Sequence, residues 1–566
     1  MNFGFIIDNR KCIGCHACTV ACKAEHDVPI GVNRTWVKYI EKGEFPHSRR
    51  VFSVMRCNHC EDAPCVEICP VEALFIRPDG IVDFDNRRCI GCKACTQACP
   101  YDSIYIDPQT HTAAKCNYCA HRIDIGLEPA CVNVCPEHAI ISGDLDDPNS
   151  EISQLLAREQ VTARKVEKGT RPKLFYIDGD EASLKPIVTQ QLTEYFWSEQ
   201  SSGVGHYAKY AAKRLQKADP ARMAQQLAGN GNGEGSSGQW IGEGANKVLI
   251  PGIGETESMK EKAQQVIREK ARRVYDAPKK GVMWGWEVSS YIITKAVSAG
   301  AILIPGAAIG FNLAPVSEVV QWAGIILALL FLGLTGLLLI KDLDQPRRFA
   351  YVLLRPHFTS WLVRGGYLIT VFGGLVTLLG VAKWFQWSQL GDVTLWLSMV
   401  FAILVAIYTA FLFAQARGRD FWQSPMLVLH MFGHAVVAGA AVLLLLTPLL
   451  PVTNGWQGSL QWMNYLSWML LAGVIFNGIV VALELLLPHP TEDAHETVAL
   501  ILHGPFKAHF WLGTVVLGTL VPIGLIGFGS SFHSGGTIYL AAVLALIGMY
   551  ITEHIWVRAP QLIPLS

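Results

Sequence analysis

This 566-residue chain has no cysteine beyond Cys135, so any thiol chemistry is confined to its first quarter. It has no net charge either. Its 47 Lys and Arg balance 47 Asp and Glu, which removes the overall basic field expected of a nucleic-acid-binding protein. The start, with Asp8, Arg10 and Lys11, lacks the apolar stretch of a secretory leader, and Arg49-Arg50 is internal with no apolar run behind it. No exported disulfide scaffold is therefore expected. Charged residues are scarce, at 17%, and unevenly spread. Residues 1 to about 285 are polar, whereas about 286–566 consist largely of apolar runs of membrane-spanning length.

Within that first quarter stand sixteen cysteines in four groups of four: Cys12-Cys15-Cys18-Cys22, Cys57-Cys60-Cys65-Cys69, Cys89-Cys92-Cys95-Cys99 and Cys116-Cys119-Cys131-Cys135. The first and third are pure C-x2-C-x2-C-x3-C runs, and three groups end in Cys-Pro, at Pro70, Pro100 and Pro136. Thiolates at this spacing hold cubane iron–sulfur clusters, three cysteines on one cluster and the fourth reaching a neighbour. Structural zinc is satisfied by isolated C-x2-C pairs and has no use for a third and fourth cysteine at fixed spacing. Sixteen thiolates at four per cluster give four [4Fe–4S] centres, a wire for single electrons.

The groups are also internal repeats. Pro70 leads into Val71–Ile76, Pro100 into Tyr101–Ile106 and Pro136 into Glu137–Ile141, and each predicts a tight turn followed by a short strand. Two repeats make a ferredoxin-like module, so residues 1–190 predict an α+β ferredoxin-like head with two duplicated [4Fe–4S] modules. Residues 191–284 read as a polar flexible linker, with a low-complexity stretch at Gly229–Gly238 and a short solvated helix at Ser258–Val274. Residues 285–566 predict an all-α polytopic membrane domain of eight transmembrane helices, at about 288–311, 318–340, 361–383, 393–416, 424–449, 463–487, 509–529 and 536–557. Trp284, Trp286, Trp384, Trp387, Trp422, Trp456 and Trp462 read as interfacial belts. Lys341, Arg347, Arg348, Arg355, Arg364, Arg417, Arg419, Lys507 and Arg558 lie on the head side against Lys383 opposite, which predicts a head facing the cytoplasm; an exported face is the alternative.

On Cys57-Asn58-His59-Cys60-Glu61-Asp62-Ala63-Pro64-Cys65 and Lys115-Cys116-Asn117-Tyr118-Cys119-Ala120-His121-Arg122, the head resembles the four-cluster electron-transfer subunits of the molybdopterin oxidoreductases, such as dimethyl sulfoxide and polysulfide reductase. The resemblance implies the ligand sets Cys12/Cys15/Cys18/Cys135, Cys116/Cys119/Cys131/Cys22, Cys57/Cys60/Cys65/Cys99 and Cys89/Cys92/Cys95/Cys69. It also implies that the first lies nearest a catalytic subunit and the last nearest the membrane. Some relatives replace a third-group cysteine and hold a [3Fe–4S] centre; Cys95 is present here, so four cubanes are expected. On Lys341–Phe349, Ser360–Gly365 and Arg558–Ser566, the membrane half resembles the NrfD-like polysulfide-reductase anchors. That resemblance implies menaquinone or ubiquinone binding, with no haem.

Quinone chemistry needs groups at the head side of the bilayer that hydrogen-bond the ring oxygens and move protons. Tyr408 matches the position of a quinone-contacting tyrosine in that family, and Tyr291 falls where relatives place a histidine; interfacial anchoring explains either tyrosine equally well. Lys295 lies inside the first span, where an ionisable group faces a partner or a wet cavity unless it snorkels to the interface. Asp342, Asp344 and Arg364 border the expected pocket, although solvated loop carboxylates read the same way. His434 and Glu484 are deeper candidates for a proton path. His430 and His434 share one helix at i, i+4 spacing, whereas bis-histidine haem takes its ligands from opposite sides.

The whole reads as the electron-transfer and quinone-binding subunit of a respiratory oxidoreductase complex in the inner membrane. It links the quinone pool to a separate molybdenum or tungsten pterin subunit and carries no substrate-specific catalytic residue of its own. A hydrogenase-linked quinone-reducing subunit and an ion-translocating redox module are the alternatives.

Overall fold

The computed structural model describes residues 1–43, 48–186, 189–191, 238–241, 248–251, 271–277, 280–449, 456–532 and 535–566. The head is built on two four-stranded sheets. In one, Phe3–Asp8 runs between antiparallel Ile140–Asp144 and parallel Leu174–Ile177, with Val161–Ala163 at the edge. Phe5, Ile6 and Ile7 are wholly buried, as a central strand covered on both faces requires. In the other, Thr35–Lys42 pairs with Arg49–Arg56. The turns after Pro70, Pro100 and Pro136 lead into Leu74–Ile76, Ile104–Ile106 and Ile140–Asp144, and the first two form small ribbons with Val82–Phe84 and Ala113–Lys115.

The connector departs from its sequence reading at its ends. Ala271–Tyr275, of which 271–274 read as the close of a solvated helix, is a strand paired with Thr35–Lys42 and, in parallel, with Gln190–Gln191. The charges that suggested solvent are satisfied inside. Buried Arg273 pairs with Asp276 at 2.9 Å, and Trp36 Nε1 donates to Asp276 at 2.8 Å. Gly238–Ile241 and Val248–Pro251 form an antiparallel pair. Residues 229–237 of the low-complexity stretch and 258–270 of the expected helix lie outside the described residues.

Among the described residues, eight helices are long and apolar enough to cross a membrane: Trp286–Gly310, Glu318–Lys341, Trp361–Trp384, Ser388–Gln415, Met426–Leu449, Gly458–Leu486, His509–Gly529 and Gly535–Leu562. Each spans a hydrocarbon core at the helical rise per residue. The first is the most enclosed, with 78% of its apolar stretch buried against 22% of the second, and it packs on the second, fourth, fifth and eighth. The seventh begins as a π-helix over His509–Leu520. An amphipathic helix, Glu492–Leu502, links the sixth to the seventh. One continuous apolar core joins the two halves, holding Cys65, Cys69, Cys89 and Cys95 together with Trp284, Phe413, Trp422 and Trp556.

Candidate functional site

Left-handed turns shape all four cysteine loops, at His59 (φ 43°) in the second and at Tyr118 (φ 62°) and Cys119 (φ 52°) in the fourth. In the first, Gly14 (φ 72°) and His16 (φ 62°) curl the chain ahead of the helix Ala17–Glu25. The third group repeats this with Gly91 (φ 69°) and Lys93 (φ 61°) ahead of Ala94–Ala98. A Cβ would lie 2.5 Å from the Phe52 ring at Gly14 and 2.7 Å from Asp344 Cβ at Gly91, so both the turn and the space call for glycine.

The curled loops enclose small cavities. One is lined by Cys12, Cys15, Cys18 and Cys135, the other by Cys89, Cys92, Cys95 and Cys69. Cys60 and Cys65 have Cys57 and Cys99 as neighbours, and Cys22 has Cys116, Cys131 and Cys119. In every set the fourth thiol comes from a different group than the other three.

The donor set fits an iron–sulfur core. All sixteen cysteines are free of disulfides. Burial pushes the Cys18 and Cys119 thiols up to about 12, so thiolates here call for a cationic metal partner. Buried Arg56 donates to Cys131 Sγ at 3.1 Å. Backbone amides of Ala73, Gly91, Ala113 and Ala139 donate to Cys69, Cys89, Cys89 and Cys135, the kind of hydrogen bond that tunes a cluster's potential.

The Cys89 loop is where the head meets the membrane half. The amides of Asp344 and Gln345 donate to the carbonyls of Gly91 (3.3 Å) and Ile90 (3.2 Å). Lys93 bridges the carboxylates of Asp342 (3.6 Å) and Asp344 (3.2 Å), and the Trp284 indole donates to the Cys92 carbonyl at 3.1 Å. Burial holds the Asp342 carboxyl up at about 7 against the pull of Lys93. Gln97, wholly buried, accepts from Arg419 Nε at 3.0 Å and from the Gly418 amide at 3.1 Å, and donates to Gln561 Oε1 at 3.1 Å. Arg348 donates to the carbonyls of Asn86 and Cys89, and Arg417 pairs with Glu67 at 3.1 Å. Arg348, Arg417 and Arg419, counted from sequence as topology signals, are therefore contacts between the two halves.

Three of the six candidate pocket residues meet inside the membrane body. Lys295 is 1% exposed. Its Nζ donates to the Ala406 carbonyl at 3.0 Å and to the Thr409 hydroxyl, and it lies 4.6 Å from the centre of the Tyr408 ring. Snorkelling is excluded, because the ammonium is held inside by the fourth helix. Tyr291 is buried beside Thr409 and Tyr408, and Gly365 of the third helix packs on the Tyr408 ring.

Asp342 stands apart at the junction with Lys93. Arg364 does not join the group. It is exposed, donates to the Phe358 carbonyl at 2.7 Å and covers the Trp361 ring, because one helical step from Gly365 turns it to the outside. The tryptophan belts are corrected in the same way. Trp286, Trp384 and Trp387 are exposed, but Trp284, Trp422 and Trp462 are buried in the interior.

Glu553 escaped the sequence reading. His434 Nδ1 lies 2.6 Å from Glu553 Oε1, and His430 lies 3.6 Å from the same carboxylate and 3.4 Å from Glu484. Trp556 Nε1 donates to Glu484 at 3.0 Å. The rule that singled out Lys295, an ionisable group within an apolar span, applied equally to Glu553 in the last span.

Two 4Fe-4S dicluster domain models match residues 11–74 and 49–145, and the model described as polysulphide reductase, NrfD matches residues 276–564. Among known proteins, the chain is similar to a tetrathionate reductase subunit of Salmonella typhimurium, 45% identical over 191 residues that cover 33% of this chain and 76% of that protein. A polysulfide reductase component of Wolinella succinogenes is 40% identical over 188 residues, covering 32% and 97%. The arsenate respiratory reductase iron-sulfur subunit of a Shewanella species is 35% identical over 227 residues, covering 31% and 96%.

Proposed function

The chain belongs to the polysulphide reductase NrfD family, with an iron–sulfur electron-transfer subunit fused ahead of the membrane anchor, and from that premise we propose that it connects the membrane quinone pool to a separate molybdopterin catalytic subunit. Four [4Fe–4S] clusters are held by the sets Cys12/Cys15/Cys18/Cys135, Cys116/Cys119/Cys131/Cys22, Cys57/Cys60/Cys65/Cys99 and Cys89/Cys92/Cys95/Cys69. When bound, they supply single-electron transfer. Quinone exchanges at the head side of the membrane body, where Tyr291 and Tyr408 offer hydroxyls to a ring oxygen and Lys295 supplies positive charge beside them. The head faces the cytoplasm, with Lys341, Arg347, Arg355 and Lys507 on its side of the bilayer.

The observation that carries this reading is the polarity of the head. The Cys89 loop is sealed into the membrane half by Trp284, Lys93 and Gln97. At the other end Cys15 is exposed, with Ile13 and Val20 more than half exposed around it, an apolar rim that suits a protein partner. The test is to purify the complex from membranes under anaerobic conditions, measure its metals and add quinol. Molybdenum or tungsten in a co-purified large subunit, with quinol-dependent bleaching of the cluster absorbance, is the expected result. Nickel in place of molybdenum or tungsten would overturn the catalytic-partner assignment, and clusters inert to quinol would overturn the quinone assignment.

A further inference from the structure

A second polar site lies outside the Tyr291–Lys295–Tyr408 group. Between the fifth, sixth, seventh and eighth helices is a cavity of about 250 Å³, apolar over most of its wall, with His434, Asn477, Trp511, Thr514 and Thr552 among its lining residues. Trp511 and Thr514 belong to the π-wound segment of the seventh helix, a winding that recurs at functional sites.

His434 is wholly buried. Its Nδ1 is engaged by Glu553 at 2.6 Å, and its Nε2 has no hydrogen-bond partner. A carboxylate at Nδ1 keeps the ring proton there and leaves Nε2 a lone pair, an acceptor poised at the wall of an apolar slot. Leaving such a nitrogen unpaired is costly, so the site calls for a donor. The donor has to arrive through lipid and carry an apolar body, because nearly all the rest of the wall is hydrocarbon.

The cavity is also joined to the head by a run of aromatic rings. The Trp284 indole bonds the Cys92 carbonyl, and Trp284 stacks on Trp422 with centroids 5.5 Å apart. Trp422 Nε1 donates to the Trp556 carbonyl at 2.8 Å. Trp556 lies 5.4 Å from His430, and His430 lies 4.4 Å from His434. This path places the cavity in unbroken packing contact with the cysteine set nearest the membrane.

We propose that this cavity binds the ring of an isoprenoid quinol, one hydroxyl donating to His434 Nε2, as a site separate from the Tyr291–Lys295–Tyr408 position. Glu553 acts as a positioning residue that fixes the imidazole tautomer, and the apolar groove along Val474, Val481 and Leu485 takes the start of the isoprenoid tail. The proposal rests on the quinone-exchange reading above.

The experiment is photolabelling of the full chain in native membranes with a reduced azidoquinone, the adducts being mapped by peptide mass spectrometry. Adducts on the sixth to eighth helices around Asn477, Thr514 and Thr552, in addition to those near Tyr408, are expected. Adducts confined to the first four helices overturn the second site and leave the quinone-exchange reading standing; absence of adducts anywhere overturns both. His434→Phe, which keeps a ring of similar size but offers no acceptor, is expected to weaken labelling of the cavity about tenfold, the worth of roughly one buried hydrogen bond, with labelling near Tyr408 unchanged. Undiminished cavity labelling in His434→Phe means an acyl-chain slot without head-group recognition and overturns the proposal. The adduct map of the unmodified chain stands whether or not that variant folds.

Discussion

From Cys12 to Cys22 and from Cys89 to Cys99 the chain repeats itself, and only two positions differ: His16 and Val20 in the first run stand where Lys93 and Gln97 stand in the second. The shared glycine and cysteines give both loops the same turn and the same inward thiols, and His16 and Lys93 take the same left-handed conformation. The two that differ set what each loop touches. Lys93 reaches the Asp342 and Asp344 carboxylates, and Gln97 is buried among Gly418, Arg419 and Gln561. His16 packs within the head against Tyr39 and Tyr275, and Val20 is 64% exposed. Ligand geometry and docking are thus encoded in separate residues of one short motif, so each can be altered without the other.

The sharpest way to break that equivalence is to place alanine at the matching glycines. Both substitutions force an L-residue into a left-handed turn, which costs about 1–2 kcal/mol in either loop. At Gly91 the new Cβ also meets Asp344 Cβ at 2.7 Å and the His111 carbonyl at 3.0 Å, whereas at Gly14 it meets only the Phe52 ring. Gly91→Ala is therefore expected to destabilise the chain by about 3 kcal/mol or more and to detach the loop from the membrane half, with Gly14→Ala milder because a ring can swing aside. Thermal melting and iron retention of the two purified variants check this, and equal losses would mean that the neighbours do not matter.

Next comes Gln97→Val, which installs the first loop's residue in the second. It strips half-buried Arg419 and buried Gln561 of a partner, a loss of about 2–3 kcal/mol. The thiols are untouched, so iron content is expected to hold. Hydrogen exchange at the Gly418 amide, which donates to the Gln97 carbonyl, is expected to rise.

The residues in this comparison also mark what the amino-acid pattern reveals. Thiol spacing, short strands after each Cys-Pro and apolar spans of about twenty residues are local signals, and they are legible because one stretch of chain carries each of them whole. Lys295 was legible for the same reason, as a charge inside an apolar run. What Lys93 and Gln97 touch was not, since their partners lie in the membrane half and no local pattern announces them. Arg364 misled because a family motif places a residue in sequence without fixing which side of the helix it faces. Ala271–Tyr275 misled because Arg272 and Arg273 count as solvent-seeking in composition, although Arg273 finds Asp276 inside the head.

A smaller effect comes through pH. Half-buried Asp342, beside Lys93, Glu287 and Asp344, has its carboxyl raised from 3.8 to about 7, chiefly by desolvation. The folded state then holds this proton more tightly than the unfolded one. The contribution to stability is full below about pH 4 and is lost as pH rises through about 7. Asp342→Asn removes the titration. Melting of the variant is expected to be flatter between pH 4 and pH 7 than that of the unmodified chain, and parallel curves would remove Asp342 from the docking contact.

The smallest stability change belongs to the open loop and tests the other half of the comparison. Val20→Gln gives the first run the second run's residue at a site with nothing to receive it, so stability is expected to move by no more than about 0.5 kcal/mol. The loop is expected to keep its cluster, since Cys12, Cys15, Cys18 and Cys135 keep their places around the same cavity. Its apolar rim of Ile13 and Val20 is broken, however, and recovery of the catalytic subunit on the tagged chain is expected to fall several-fold while the Cys89 loop stays docked on the membrane half. An unchanged yield of the catalytic subunit would show that the exposed Cys12 end is not its docking face. The two runs would then differ in burial without differing in partner.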